Sequence, residues 1–173
     1  MISHVNVSAT GSDYGFFRYL GGNAVVNHLK LSGKVHVDGS CENIGGVVGV
    51  NYGTVNGCSF TGTIDGKSAV GGIAGVNENS GKIVNCTSAV TITATGIVGN
   101  NQGLVSGCTS ESSVNTEELN TTMDLGGVDI GTLNITKRVV DRNDMGGIAG
   151  ASSGIITDCV NQGMIGFDHT GYN

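Results

Sequence analysis

The chain has 173 residues, of which 31 are glycine and none is proline or tryptophan, and its 14 acidic and 8 basic side chains leave a net charge of −6. The glycines follow no strict three-residue period, which excludes collagen, and a charged content of 13% beside frequent Val and Ile excludes a disordered chain. The cations are scattered (Lys30, Lys34, Lys67, Lys82, Lys137, Arg18, Arg138, Arg142), so no basic stripe points to nucleic acid or to an anionic membrane.

The opening stretch, Met1 to Val7, reads as a strand. It lacks the basic and apolar blocks of a signal peptide, and Met1 reads as a start inside a longer protein. No apolar run approaches the roughly 20 residues of a membrane-crossing helix, so membrane insertion is not expected. A first unit follows at 15–29, with Gly15, Phe16, Phe17, Arg18, Tyr19 and Leu20 leading to Val26 and Leu29. The next units superimpose on one another. Residues 45–51 (GGVVGVN), 71–77 (GGIAGVN), 95–101 (TGIVGNN) and 146–152 (GGIAGAS) each lead through a Gly-x-[Val/Ile] step to a cysteine: Cys58, Cys86, Cys108 and Cys159. Leu29 takes the cysteine slot in the first unit. The turns after each glycine-rich run (Asn51-Tyr52-Gly53, Asn101-Gln102-Gly103, Ser152-Ser153-Gly154) place Asn or Ser before Gly. Those types tolerate the positive φ of a tight turn. The glycines at 46, 49, 72, 75, 147 and 150 let the chain bend or approach closely.

Successive slot residues lie 29, 28, 22 and 51 residues apart, from Leu29 through Cys58, Cys86 and Cys108 to Cys159. The last interval is close to two ordinary steps. It predicts a degenerate coil or an insertion near 111–144, with Leu125 to Ile135 as its strand material. A 22–29-residue period is one turn of a β-solenoid, whose units bury apolar side chains only by stacking. No leucine-rich framework is present, and propeller blades require longer units. The reading is an all-β, right-handed parallel β-helix of about six Gly-rich coils, one domain over 1–173, with Leu29, Val47, Val55, Cys58, Ile73, Ile83, Cys86, Ile97, Val105, Cys108, Ile148, Ile156 and Cys159 as its repeated core.

The unit at 45–64 (GGVVGVNYGTVNGCSFTGTI) resembles the GLUG-motif repeats, named for a Gly-Leu-x-Gly core. The resemblance covers roughly residues 14 to 166. Val47, Ile73, Ile97 and Ile148 stand where the name has Leu, and 111–144 departs from the pattern. Such repeats occur in bacterial secreted and surface proteins, beside the peptidase domains of IgA-degrading metalloproteases and in adhesin-like proteins. The resemblance implies an exported right-handed β-helix and no particular ligand.

The chemistry-bearing residues favour scaffold over site. Stacked cysteines point the same way and suit disulfides badly, the CxxC or CxxH spacing of zinc is missing, and five is an odd number. Buried thiols are expected, with Cys41 in a turn. His4, His28, His36 and His169 read as surface residues on strands, and no HExxH helix is present. Asp38, Glu42, Asp65 and Asp158 fall at non-equivalent repeat positions, which argues against a glycosidase pair. Calcium-loop patterns are missing, and no cofactor is expected. The threonines near 91–95 show no repeated ladder of the ice-binding kind. Tyr14, Phe16, Phe17 and Tyr19 cluster in the first unit, as an enlarged core or as a contact patch for a neighbouring domain or partner.

The function expected is that of a non-enzymatic bacterial cell-surface or secreted module serving as adhesin, stalk or spacer. Its partners would be protein or glycan ligands, other domains, or copies of itself. The alternative is a solenoid that stacks end to end into filaments, since residues 169–173 offer no evident cap. A carbohydrate-active enzyme stands third.

Overall fold

The computed structural model describes residues 1–37, 41–92, 95–114, 119–122, 134–137 and 146–165, and every regular element among them is a strand. Three parallel faces carry the stack. The first holds Phe17–Leu20, Val48–Asn51, Ala74–Asn77, Val98–Asn101 and Ala149–Ser152. The second holds Val25–Asn27, Thr54–Asn56, Lys82–Val84, Leu104–Ser106 and Ile155–Thr157. The third runs Ile2–Ala9, Lys30–Val37, Ser59–Ile64, Thr87–Ile92, Thr109–Ser110 and Val160–Asn161, with Ser113–Val114 also paired to Thr87–Ile92. The chain visits the faces in turn, and each rung lies on the last in parallel register. This is the parallel β-solenoid that the spacing predicts. It has five rungs and a leading strand on the third face, rather than about six coils.

The 22–29-residue period works because each rung repeats the same corners. The residue before the cysteine slot is left-handed in every rung: His28, Gly57, Asn85, Gly107 and Asp158 have φ between 53° and 62°. Gly meets this at no steric cost, and Asn, Asp and His are the side chains that tolerate it best. A second left-handed corner precedes the glycine-rich run, at Asp13, Asn43 and Ala69 (φ 65°, 60° and 48°).

The interior is a set of columns. Val26, Val55, Ile83, Val105 and Ile156 stack in register on the second face. Val55, Ile83 and Val105 are fully buried, as are Val47, Ile73 and Ile97 beside the first face. Each such side chain contributes about 1.5–3 kcal/mol of burial, which no rung obtains alone. Ile156 departs from the expected core: it lies on the last described rung and is 39% exposed, and Ile148 there is only partly buried. On the third face one inward column changes character along the stack, from Leu31 and Phe60 to Ser88, Ser110 and Asn161.

Two expectations change. Asn51 does not form a positive-φ turn. Asn51, Asn77 and Asn101 are fully buried and form a ladder along the first face. Asn51 Nδ2 donates to Asn77 Oδ1 at 2.7 Å, Asn77 Nδ2 donates to Asn101 Oδ1 at 2.8 Å, and Asn101 Nδ2 donates to Ser152 Oγ at 3.1 Å. Leu20 holds the same seat in the first rung. Nor does a coil lie between Cys108 and Cys159. Leu104, Val105 and Ser106 pair directly with Ile155, Ile156 and Thr157, and Thr109 pairs with Val160. Within 115–145 the described residues are an antiparallel pair, Leu119–Thr122 with Asn134–Lys137, as the alternative of an insertion expects. Most of 125–135 lies outside the described residues.

Candidate functional site

The cysteines form a continuous column on the inner corner after the left-handed residue. Cys58, Cys86 and Cys108 are buried, Cys159 is partly buried, and Leu29 packs against the core in the first rung. Each thiol donates to the carbonyl two residues before it: Cys58 to Asn56 at 3.4 Å, Cys86 to Val84 at 3.3 Å, Cys108 to Ser106 at 3.4 Å and Cys159 to Thr157 at 3.2 Å. The Cys86 amide donates to Cys108 Sγ at 3.4 Å. Hydrogen bonds to Cys108 and Cys58, with burial, hold the Cys86 thiol well above its ordinary range. In return, the interactions with Cys86 pull Cys58 down to about 7 and lower Cys108. Burial raises Cys159. All five cysteines are free. Cys41, expected in a turn, lies just before Glu42–Gly45 and is buried in the core. Every buried side-chain nitrogen or oxygen among the described residues has a partner.

The aromatic cluster divides. Tyr14 bridges Ile44, so it takes the seat that Ile44 and Val70 take in later rungs, and Phe17 pairs with Val48. Both pack against the core. Phe16 and Tyr19 face outward, Tyr19 at 54% exposure, and Phe16 meets Phe17 edge-on with centroids 5.1 Å apart. The residue that organises the patch is Arg18, which the sequence did not single out. Its guanidinium lies over the Tyr14 ring at 4.6 Å and the Tyr19 ring at 5.6 Å, and donates to the Asp13 and Ser12 carbonyls at 3.4 Å each. Asp13 accepts from Tyr19 Oη and from Asn43 Nδ2. The hydrogen bond to Asp13 raises the Tyr19 phenol above its ordinary range.

The remaining candidates are dispersed. His4, His28 and His36 are exposed, and His36 Nδ1 pairs with Asp65 at 2.9 Å. Glu42 is on the segment entering the second rung, and Asp158 is at a corner of the fifth. Asp38 and His169 lie outside the described residues. No group of three or more His, Cys, Asp or Glu side chains among the described residues is placed to hold a metal ion. No described helix is long and apolar enough to cross a membrane. The outward surface of the third face carries short columns of mixed serine and threonine hydroxyls. Ser59, Thr87 and Thr109 are in register, and so are Thr63, Thr91 and Ser113.

A stack of glycine-studded rungs, held by inward ladders of Val/Ile, Cys and Asn, defines a solenoid repeat protein whose recurring chemistry lies in its repeat seats. The family model of the GLUG motif matches residues 40–65 and 66–93, which are the second and third rungs. Residues 40–93 thus carry two GLUG repeats. The chain is similar to Halomucin of Haloquadratum walsbyi, with 30% identity over 90 residues, 51% of this chain and 1% of that protein. The chain thus spans about 1% of the length of the curated relative it matches. No solved structure matches it.

Proposed function

We propose that this chain is a non-enzymatic repeat module of an exported protein, serving as a stiff stalk or spacer that presents its faces to protein or glycan partners. The observation that carries the reading is the unbroken register of five rungs, with buried side-chain ladders running along the axis. Such a stack transmits load through main-chain hydrogen bonds repeated at about 4.8 Å, and it offers long flat faces for weak, repeated contacts. The likeness to a repeat family and to a protein named halomucin supports an extracellular setting. That relative comes from Haloquadratum walsbyi, so a bacterial source gains no support from it.

Pulling on the two ends of single molecules tests the stalk reading. A stalk resists and then yields in discrete steps of one rung, each releasing on the order of 75–100 Å of chain at about 3.3–3.6 Å per residue. Smooth extension at low force, without rung-sized steps, contradicts it.

A further inference from the structure

We infer that the first rung is a closed end: Arg18 fills the seat that a further rung would need, and so bars a second copy of this chain from stacking there. The inference starts from how interior rungs join. Before the first three first-face strands, the chain passes across the outside of the next rung's first face. Asp13 and Tyr14 cross over Gly49, Asn43 and Ile44 over Gly75, and Ala69 and Val70 over Gly99. A Cβ at these glycines would stand 2.5 Å from the Asp13 carbonyl carbon, 2.2 Å from that of Asn43 and 2.2 Å from that of Ala69. No side chain fits beneath a crossing segment.

Register places one residue per rung in this column: Arg18, Gly49, Gly75, Gly99 and Gly150. Only the first rung carries a side chain there, and it is a large one. A docking rung built like the first three would have to lay its crossing segment through the volume that Arg18 occupies.

Arg18 also replaces what that rung would supply. Crossing segments form a ladder of their own, in which the Asp13 amide donates to the Glu42 carbonyl at 3.0 Å. Ser12 is the first-rung counterpart of Glu42, because Tyr14 bridges Ile44. Its carbonyl would await the same donor from above, and it receives Arg18 Nη2 instead. The rings of Tyr14 and Tyr19 hold the guanidinium in place. The end-to-end filament that unpaired solenoid edges suggest is therefore blocked at this end.

Two substitutions separate the blocked seat from the lost charge. Arg18→Gly removes the guanidinium and opens the seat, whereas Arg18→Ala removes the guanidinium but keeps the Cβ that collides with a crossing segment. Sedimentation velocity over a wide concentration range, on variants whose circular dichroism shows them folded, should give species that grow with concentration for Arg18→Gly alone. Identical behaviour of the two variants, whether both associate or neither does, overturns the inference. Hydrogen exchange on the unmodified chain needs no variant. Amides of Ile2–Ala9 and Phe17–Leu20 should exchange at rates independent of concentration, and protection that rises with concentration overturns it as well.

Discussion

Asn77 shows how much one buried amide carries. It accepts from Asn51 and donates to Asn101, and it also donates to the Gly81 carbonyl at 3.2 Å. Asn77→Leu should cost about 3 kcal/mol in chemical denaturation, because it strands polar groups on both neighbouring rungs. A loss below about 0.5 kcal/mol would show that the ladder is not made. Leu is tolerated in the same column only at Leu20, the end of the ladder. A stabilising change is available at Ala69, whose left-handed φ of 48° costs an Ala about 1–2 kcal/mol. The same seat holds Asn43, which donates to Asp13. Ala69→Asn should raise stability by about 1 kcal/mol, and an unchanged denaturation midpoint would contradict the strain. These residues mark the limit of what the sequence disclosed. The Val, Ile and Cys columns were legible because apolar side chains recur at fixed offsets from Gly. The role of Asn51 was not, because Asn before Gly describes a turn and a buried ladder equally well, and only the register decides. The hydroxyl columns stayed hidden for the same reason: unequal rung lengths put Thr63 beside Thr91, and Thr87 beside Thr109.

At the scale of the strand and its neighbours, the glycines set spacing and the thiols set a pH response. Gly75→Ala places a methyl 2.2 Å from the Asn43 carbonyl carbon, and the backbone must move. A loss of about 1–3 kcal/mol is expected, and a neutral result would mean that the crossing segment is not seated there. In the cysteine column, Cys86 binds its proton more tightly folded than unfolded. Its contribution is complete below the unfolded thiol pKa of about 8.5 and is lost as pH rises beyond it. Cys58 works in the opposite direction. Lowered to about 7, it contributes fully above the unfolded value and loses that contribution as pH falls through 7. Cys86 is held up first by Cys108 and then by Cys58, whereas Cys58 is held down first by Cys86, so Cys86 is common to both shifts. A thermal-melting profile should therefore peak near the unfolded thiol value of about 8.5 and fall on either side of it, and Cys86→Val should flatten both limbs. If the limbs survive the substitution, they arise elsewhere. Nothing in the sequence order announced this coupling, since the residues are 28 apart and meet only by stacking.

For the whole molecule, the account is that of a one-dimensional stack whose stability is the sum of rungs and their contacts. The excursion between the fourth and fifth rungs is a side branch on that stack. Val114 bridges Ile165 and Gly146 bridges Thr95, so the two ends of the excursion already sit at neighbouring places. Replacing 115–145 by a two-residue link, the length that joins Ile92 to Thr95, should remove only the strand signal of the Leu119–Thr122 and Asn134–Lys137 pair and leave the cooperative transition intact. Loss of folding would show that the segment supplies part of the core. The sequence order left a coil and an insertion both open, because an interval of 51 residues looks like two steps of the repeat. The central claim is that Val55, Ile83 and Val105 occupy one seat in consecutive rungs. Methyl-labelled nuclear magnetic resonance tests it most directly. Through-space contacts should run from Val55 to Ile83 and from Ile83 to Val105, and contacts from Val55 to Val105 should be weaker or missing. A well-dispersed spectrum in which these three methyl groups contact unrelated residues would contradict the account.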